Sequence, residues 1–218
     1  MFKYASCDKM EVVDVPHGGV HTASTMSGFE FTPEPECLYV TVRALTADVP
    51  NLNHDMFPDE DLQETYKTFL GSGVFLNHKN KDVTRARGVI IGAKYHVEES
   101  DDRWVEILMK MDERNYPKLC EKIRSGELDT CSMGINIDYS ICSRCGNVAI
   151  TEHDFCNHVR NKGRGQYADV YEICKGGEFF EESYVWTPAD ETALTMLLFE
   201  GEDVKAAVHV GKNDDLFL

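Results

Sequence analysis

Hydrophobic and polar positions change period several times along the chain, and each change marks an element. Residues 38–45 (Leu-Tyr-Val-Thr-Val-Arg-Ala-Leu) are β-branched and aromatic enough to predict a buried strand. A polar, turn-rich run follows at 51–58. From 59 to 70 the apolar residues Leu62, Tyr66, Phe69 and Leu70 recur at helical spacing, with Asp59 placed to cap the helix and Gly71 to end it. Strands are predicted over 74–77, 88–97 and 104–111, the last two joined by the polar turn 98–102 as an antiparallel pair. Residues 115–124 carry Leu119, Cys120 and Ile123 on one side, with Pro117 in the first turn and Gly126 beyond the last, so they predict a short amphipathic helix. A strand over 130–139 comes next, then strands over 167–174 and 179–187, and after Pro188 a final helix over 190–198. Residues 1–36, rich in Gly, Thr, Ser and Pro, hold neither period and predict an irregular arm with room for one short strand. Short strands interrupted by isolated helices predict an α+β fold with a central barrel or sandwich.

Composition narrows the class. At 218 residues and 42% hydrophobic, the chain can bury a real core without disulfide staples. No apolar run approaches the roughly 20 residues of a membrane span, and the N-terminus lacks the charged-then-apolar order of a signal peptide. The expectation is a cytoplasmic protein without a membrane partner. Four of the eight cysteines (Cys7, Cys37, Cys120, Cys174) stand alone and the rest cluster, which suits reduced thiols, some of them binding metal. A formal net charge of -16 argues against a nucleic-acid surface and leaves a protein or peptide partner as the better fit.

Two short apolar segments carry the candidate chemistry. His78 sits in Val-Phe-Leu-Asn-His-Lys-Asn and Ser132 in Asp-Thr-Cys-Ser-Met-Gly-Ile-Asn. A serine hydroxyl is a poor nucleophile until an imidazole takes its proton, so one of each on rigid strands points to acyl transfer. Cys131 is a rival nucleophile, but strand alternation sends it to the face opposite Ser132. Gly134 falls on the serine's own face and leaves room there for a substrate backbone, unless it marks a bulge. Arg85 and Arg87 are candidate oxyanion contributors, against the simpler reading of solvated loop arginines. Further on, Cys142-Ser-Arg-Cys145-Gly and Cys156-Asn-His158 supply a Cys3His set for a closed structural zinc site, with His153 as the alternative to His158. Four protein ligands leave no open position on such a metal, which speaks against zinc-dependent hydrolysis.

Four segments in order resemble the prohead maturation proteases of tailed bacteriophages. They are 51–58 (Asn-Leu-Asn-His-Asp-Met-Phe-Pro), 74–79 (Val-Phe-Leu-Asn-His-Lys), 123–134 (Ile-Arg-Ser-Gly-Glu-Leu-Asp-Thr-Cys-Ser-Met-Gly) and 180–189 (Phe-Glu-Glu-Ser-Tyr-Val-Trp-Thr-Pro-Ala), and the resemblance spans about 38–195. It implies a fold related to herpesvirus assemblin, an antiparallel β-barrel ringed by a few helices. It also implies a role in cutting scaffold and capsid proteins inside the assembling prohead in the host cytoplasm, and a homo-oligomer. His78 falls on the family's general base and Ser132 on its nucleophile. A Glu-x-Ser-x-Val strand matches at Glu181, Ser183 and Val185, which makes Glu181 the carboxylate that orients the imidazole, with Asp154 and Asp82 as fallbacks. The implied organisation is an arm over 1–36, a barrel over 37–200 carrying a Cys/His insert at 141–165, and a polar tail over 201–218. Phage enzymes of this type tend to cut after glutamate and often process themselves. Leu198-Phe199-Glu200-Gly201 resembles such a point, or is a helix end with a glycine cap. The competing reading is a zinc-stabilised, non-catalytic head-assembly or scaffold-binding protein, which would not need the histidine, serine and glutamate in this order.

Overall fold

The computed structural model describes residues 2–3, 24–26, 28–188 and 194–200. In chain order the elements are β1 (Phe2–Lys3), β2 (Ser24–Met26), β3 (Phe29–Phe31), β4 (Cys37–Thr46), β5 (Asp55–Met56) and α1 (Asp59–Thr65). Then come β6 (Gly73–Leu76), β7 (Gly88–Val97), β8 (Arg103–Asp112), α2 (Pro117–Arg124), β9 (Cys131–Asn136), β10 (Tyr139–Cys142) and β11 (Val148–Ala149). The series ends with α3 (Asn157–Arg160), β12 (Glu172–Lys175), β13 (Glu178–Tyr184) and β14 (Thr195–Glu200). No helix among the described residues is long and apolar enough to cross a membrane.

The main sheet has eight strands in the order β1-β9-β13-β6-β7-β8-β4-β14. It corrects the expected antiparallel barrel in two ways. First, β13 runs parallel to β6, so the sheet is mixed. Second, the sheet is open, with β1 and β14 at its edges and an isolated bridge between Thr130 and Leu194 drawing its two ends together. β13 lies between β9 and β6, antiparallel to the first and parallel to the second. Bulges on β4, β7, β13 and β14 bend the sheet and increase its twist.

Other expectations need adjusting. The helix over 59–70 stops at Thr65 and tightens into a 3-10 segment, Tyr66–Phe69. The tighter winding stacks Phe69 on Phe179, ring centroids 4.0 Å apart, and turns Leu70 out to solvent. The strand over 130–139 is two strands in two sheets: β9 belongs to the main sheet, and β10 lies in a small one ordered β11-β10-β12-β5. Where β12 returns the chain to β13, Gly177 adopts φ 119° with its α-carbon against the Asn136 carbonyl, a place no side chain could occupy. The final helix over 190–198 is corrected to a strand over 195–200. Leu198 packs into the main core while Leu197 and Phe199 pack on the other face, so an edge position beside β4 covers both sides of the run. A cut after Glu200 therefore requires β14 to leave β4. The tail 201–218 and Cys7 lie outside the described residues. The arm holds more than one short strand: β1 pairs with β9, and the β2–β3 hairpin brings Phe29 and Phe31 onto the outer face of β4 and β8.

Inside the bend, Leu38, Val40, Val42, Ile107, Met109, Cys131, Met133 and Tyr184 form the main core. One side chain on β13 breaks its chemistry. Glu182 is wholly buried between Met133 and Val74, its strand partners, and neither carboxylate oxygen has a hydrogen-bond partner. Burial first, and the neighbouring Glu181 second, push its carboxyl well above the usual range. In the unfolded chain Glu182 ionises near pH ~4.3, so the ionisation-linked part of its burial cost is absent below that value and grows as pH rises towards the folded pKa. The expected outcome is that Glu182→Gln gains stability over the native chain above pH ~4.5, by up to about 1.4 kcal/mol per pH unit, in urea melts across a pH series. Parallel pH curves for the two proteins would contradict this account.

Candidate active site and metal centre

Strand β13 lies between β9 and β6, and its alternation sorts its side chains. Glu182 and Tyr184 enter the main core, while Glu181 and Ser183 share the other face. On that face Ser183 is paired with Ser132 of β9 and Phe75 of β6, and Glu181 with Gly134 and Gly73. The carboxylate thus has glycine on both sides. A β-carbon on Gly134 would stand 2.7 Å from Glu181 Cγ and 2.6 Å from the Phe180 ring, so the stem of Glu181 and Phe180 fill that space rather than a substrate backbone. The bulge between Phe179 and Glu181 lies directly opposite.

The histidine arrives from β6. Beyond Leu76 the chain turns through two left-handed residues, Asn77 (φ 49°) and His78 (φ 54°), a conformation that costs about 1–2 kcal/mol per non-glycine residue. The Asn77 N–H donates to the Tyr184 carbonyl (2.9 Å), the His78 N–H donates to Ser183 Oγ (3.2 Å) and the Lys79 N–H donates to the Leu76 carbonyl (3.1 Å). So turned, the His78 ring puts Nδ1 2.6 Å from Glu181 Oε1. Ser183 Oγ donates to the second oxygen, Oε2, at 2.9 Å. The carboxylate is fully buried and the histidine partly exposed, so proton exchange with solvent falls to the ring. A carboxylate can only accept, and it therefore fixes the tautomer with the proton on Nδ1.

Of the residues singled out from sequence, His78 and Glu181 are in contact. Ser132 lies on their face one strand away, opposite Ser183, at 2% exposure. Cross-strand pairing of this kind brings β-carbons to roughly 4.5–5.5 Å. Cys131 points into the main core, where burial pushes its thiol well above its ordinary value, the opposite of a reactive thiolate. The fallback carboxylates serve local structure: Asp82 caps the turn at Val83–Arg85, and Asp154 closes a capping box with Thr151. Arg85 pairs with Asp82, and Arg87 lies over the Tyr116 ring. Ser183 was matched as part of the strand motif but given no role, and Gly73 was not singled out. Their signal was the period of two from Glu181 for the first, and a strand pairing that cannot be read from the chain for the second.

The insert gathers Cys142, Cys145, Cys156 and His158, with one donor atom of each lying within 4.8 Å of the others. Cys142 ends β10, Cys145 follows in a turn closed by the Gly146 N–H to the Cys142 carbonyl, and Cys156 caps α3, whose first turn carries His158. Cys145 and Cys156 sulfurs are 3.6 Å apart, and Cys142 Sγ is 3.9 Å from His158 Nδ1. Metal–sulfur bonds of about 2.3 Å place two sulfurs of a tetrahedral site roughly 3.8 Å apart, so the donors fit a metal ion. His158 rather than His153 completes the set. Nearby, Lys162 pairs with the buried carboxylates Asp55 of β5 and Glu172 of β12.

Gly134→Ala is expected to destabilise the fold by about 1–3 kcal/mol, because the added carbon must displace Glu181 or Phe180 in a packed layer. Chemical denaturation measures it, and an unchanged midpoint would show that the layer yields freely.

No family model matches the chain, and no curated protein does. Among solved structures, the bacteriophage T4 capsid assembly protease gp21 is similar, with a TM-score of 0.47 and 17% sequence identity, covering 86% of this chain and 98% of that one.

Proposed function

We propose that the chain is a serine endopeptidase of phage head maturation that cuts scaffold and capsid proteins inside the prohead in the host cytoplasm. The observation that carries the chemistry is the 2.6 Å contact between His78 Nδ1 and Glu181, on the sheet face shared with Ser132. The order of motifs carries the choice of substrate. With Nδ1 held by the carboxylate, Nε2 takes the proton from Ser132 Oγ as that oxygen attacks the scissile carbonyl. Buried Glu181 stabilises the imidazolium, which passes the proton to the leaving amine. Water, activated by the same nitrogen, then frees the acyl group and restores the serine. Because Ser132 is nearly covered, a substrate must open the layer above β9 to reach it. That cover favours the second reading, an assembly protein without chemistry.

Zinc in the Cys3His set, held by Cys142, Cys145, Cys156 and His158, would be structural, since a closed four-ligand shell has no room for a reacting water. Its role is to fold the insert carried by the main sheet.

Ser132→Ala should abolish processing of co-expressed head proteins, and Glu181→Gln should lower turnover on the order of 10³–10⁴-fold by releasing the wrong tautomer. Continued cleavage by the alanine protein would show that the peptidase assignment to this serine is wrong. Elemental analysis should find about one zinc per chain, with Cys145→Ser losing both the metal and thermal stability. Metal-free protein with an unaltered melt would dismiss the zinc.

A further inference from the structure

Ser183 is buried on the face of the candidate site, yet no step of the proposed chemistry uses it. Its hydroxyl donates to Glu181 Oε2 at 2.9 Å and accepts the His78 main-chain N–H at 3.2 Å. A hydroxyl has one proton to give and lone pairs to receive, so a single atom serves both. We propose that Ser183 is a positioning residue, joining the backbone of the histidine to the carboxylate that orients its ring. The inference deepens the peptidase reading and rests on it for its catalytic consequence.

The geometry gives this link its purpose. His78 is held in a left-handed conformation that a non-glycine residue adopts at a cost, so its N–H must be anchored to keep the ring aimed. The anchor sits on β13, two residues from Glu181 and on the same face, so that shifts of the turn and of the carboxylate are correlated. Alanine at 183 would orphan both a backbone donor and one oxygen of a fully buried carboxylate. Ser183 is not a second nucleophile: its proton is committed to Glu181, and it meets His78 through the main chain, not the ring.

The test has two arms. In a Ser132→Ala background, the hydrogen-bonded Nδ1–H of His78 should give a far-downfield proton resonance. Ser183→Ala should abolish it by letting the proton exchange with water, and Ser183→Thr, which keeps a hydroxyl, should retain it. In the active protein, Ser183→Ala should lower kcat by about 10–100-fold with little change in KM, and threonine should restore most of it. If the alanine form does not fold, Ser183→Cys, close in size but a weak donor, is read in its place, and it should weaken both signals. An unaltered resonance and kcat in the alanine or cysteine protein, with only the melting temperature lowered, would overturn the role and leave Ser183 a structural filler. The resonance is measured without the Ser132 hydroxyl, so it judges Ser183 even if cleavage proves independent of that hydroxyl.

Discussion

The structure turns on where β13 is wedged. Antiparallel to β9 on one side and parallel to β6 on the other, it sets which residue faces which across three strands. A slip of one position would send Glu181 into the apolar core and bring Glu182 to the histidine, since side-chain direction reverses at every residue. The bulge after Phe179 and the glycine at 134 accommodate a large carboxylate in that register. The core and the candidate site are thus two faces of one placement.

That placement also explains why a carboxyl is tolerated in the core. The strand must carry Glu181 and Ser183 outward, and the intervening residue then falls inward whatever its chemistry. Nothing in the core answers the Glu182 oxygens, so at that position the fold gives up stability it could otherwise have had. The same strand therefore holds two adjacent carboxyls, one served by two hydrogen bonds and one by none.

Much of the candidate site was legible because its parts are local in sequence. His78 follows an apolar run, Ser132 sits in another, and the cysteine spacing marks the Cys/His cluster before any folding is known. Glu181 was legible through its resemblance to a strand motif. What escaped was whatever depends on partners far along the chain. The run 195–200 has the apolar content of a helix or a strand, and only its place beside β4, with cover on both faces, selects the strand. The parallel β6–β13 pair and the open sheet edge have no local signature. Ser183 was matched as a motif position without a role for the same reason, because its hydroxyl acquires meaning only when a turn 105 residues away in sequence is folded against it.

Lys162 gives the insert its relation to the rest. Its ammonium, shared by Asp55 and Glu172, ties the segment after α3 to β5, which itself leads into α1 and the main core. Such a buried triad tolerates little displacement, because separating any member leaves charge stranded out of water. The loops that carry the Cys/His cluster are therefore no bead hung beside a finished domain: pulling them from β5 and β12 draws Lys162 away from two interior acids.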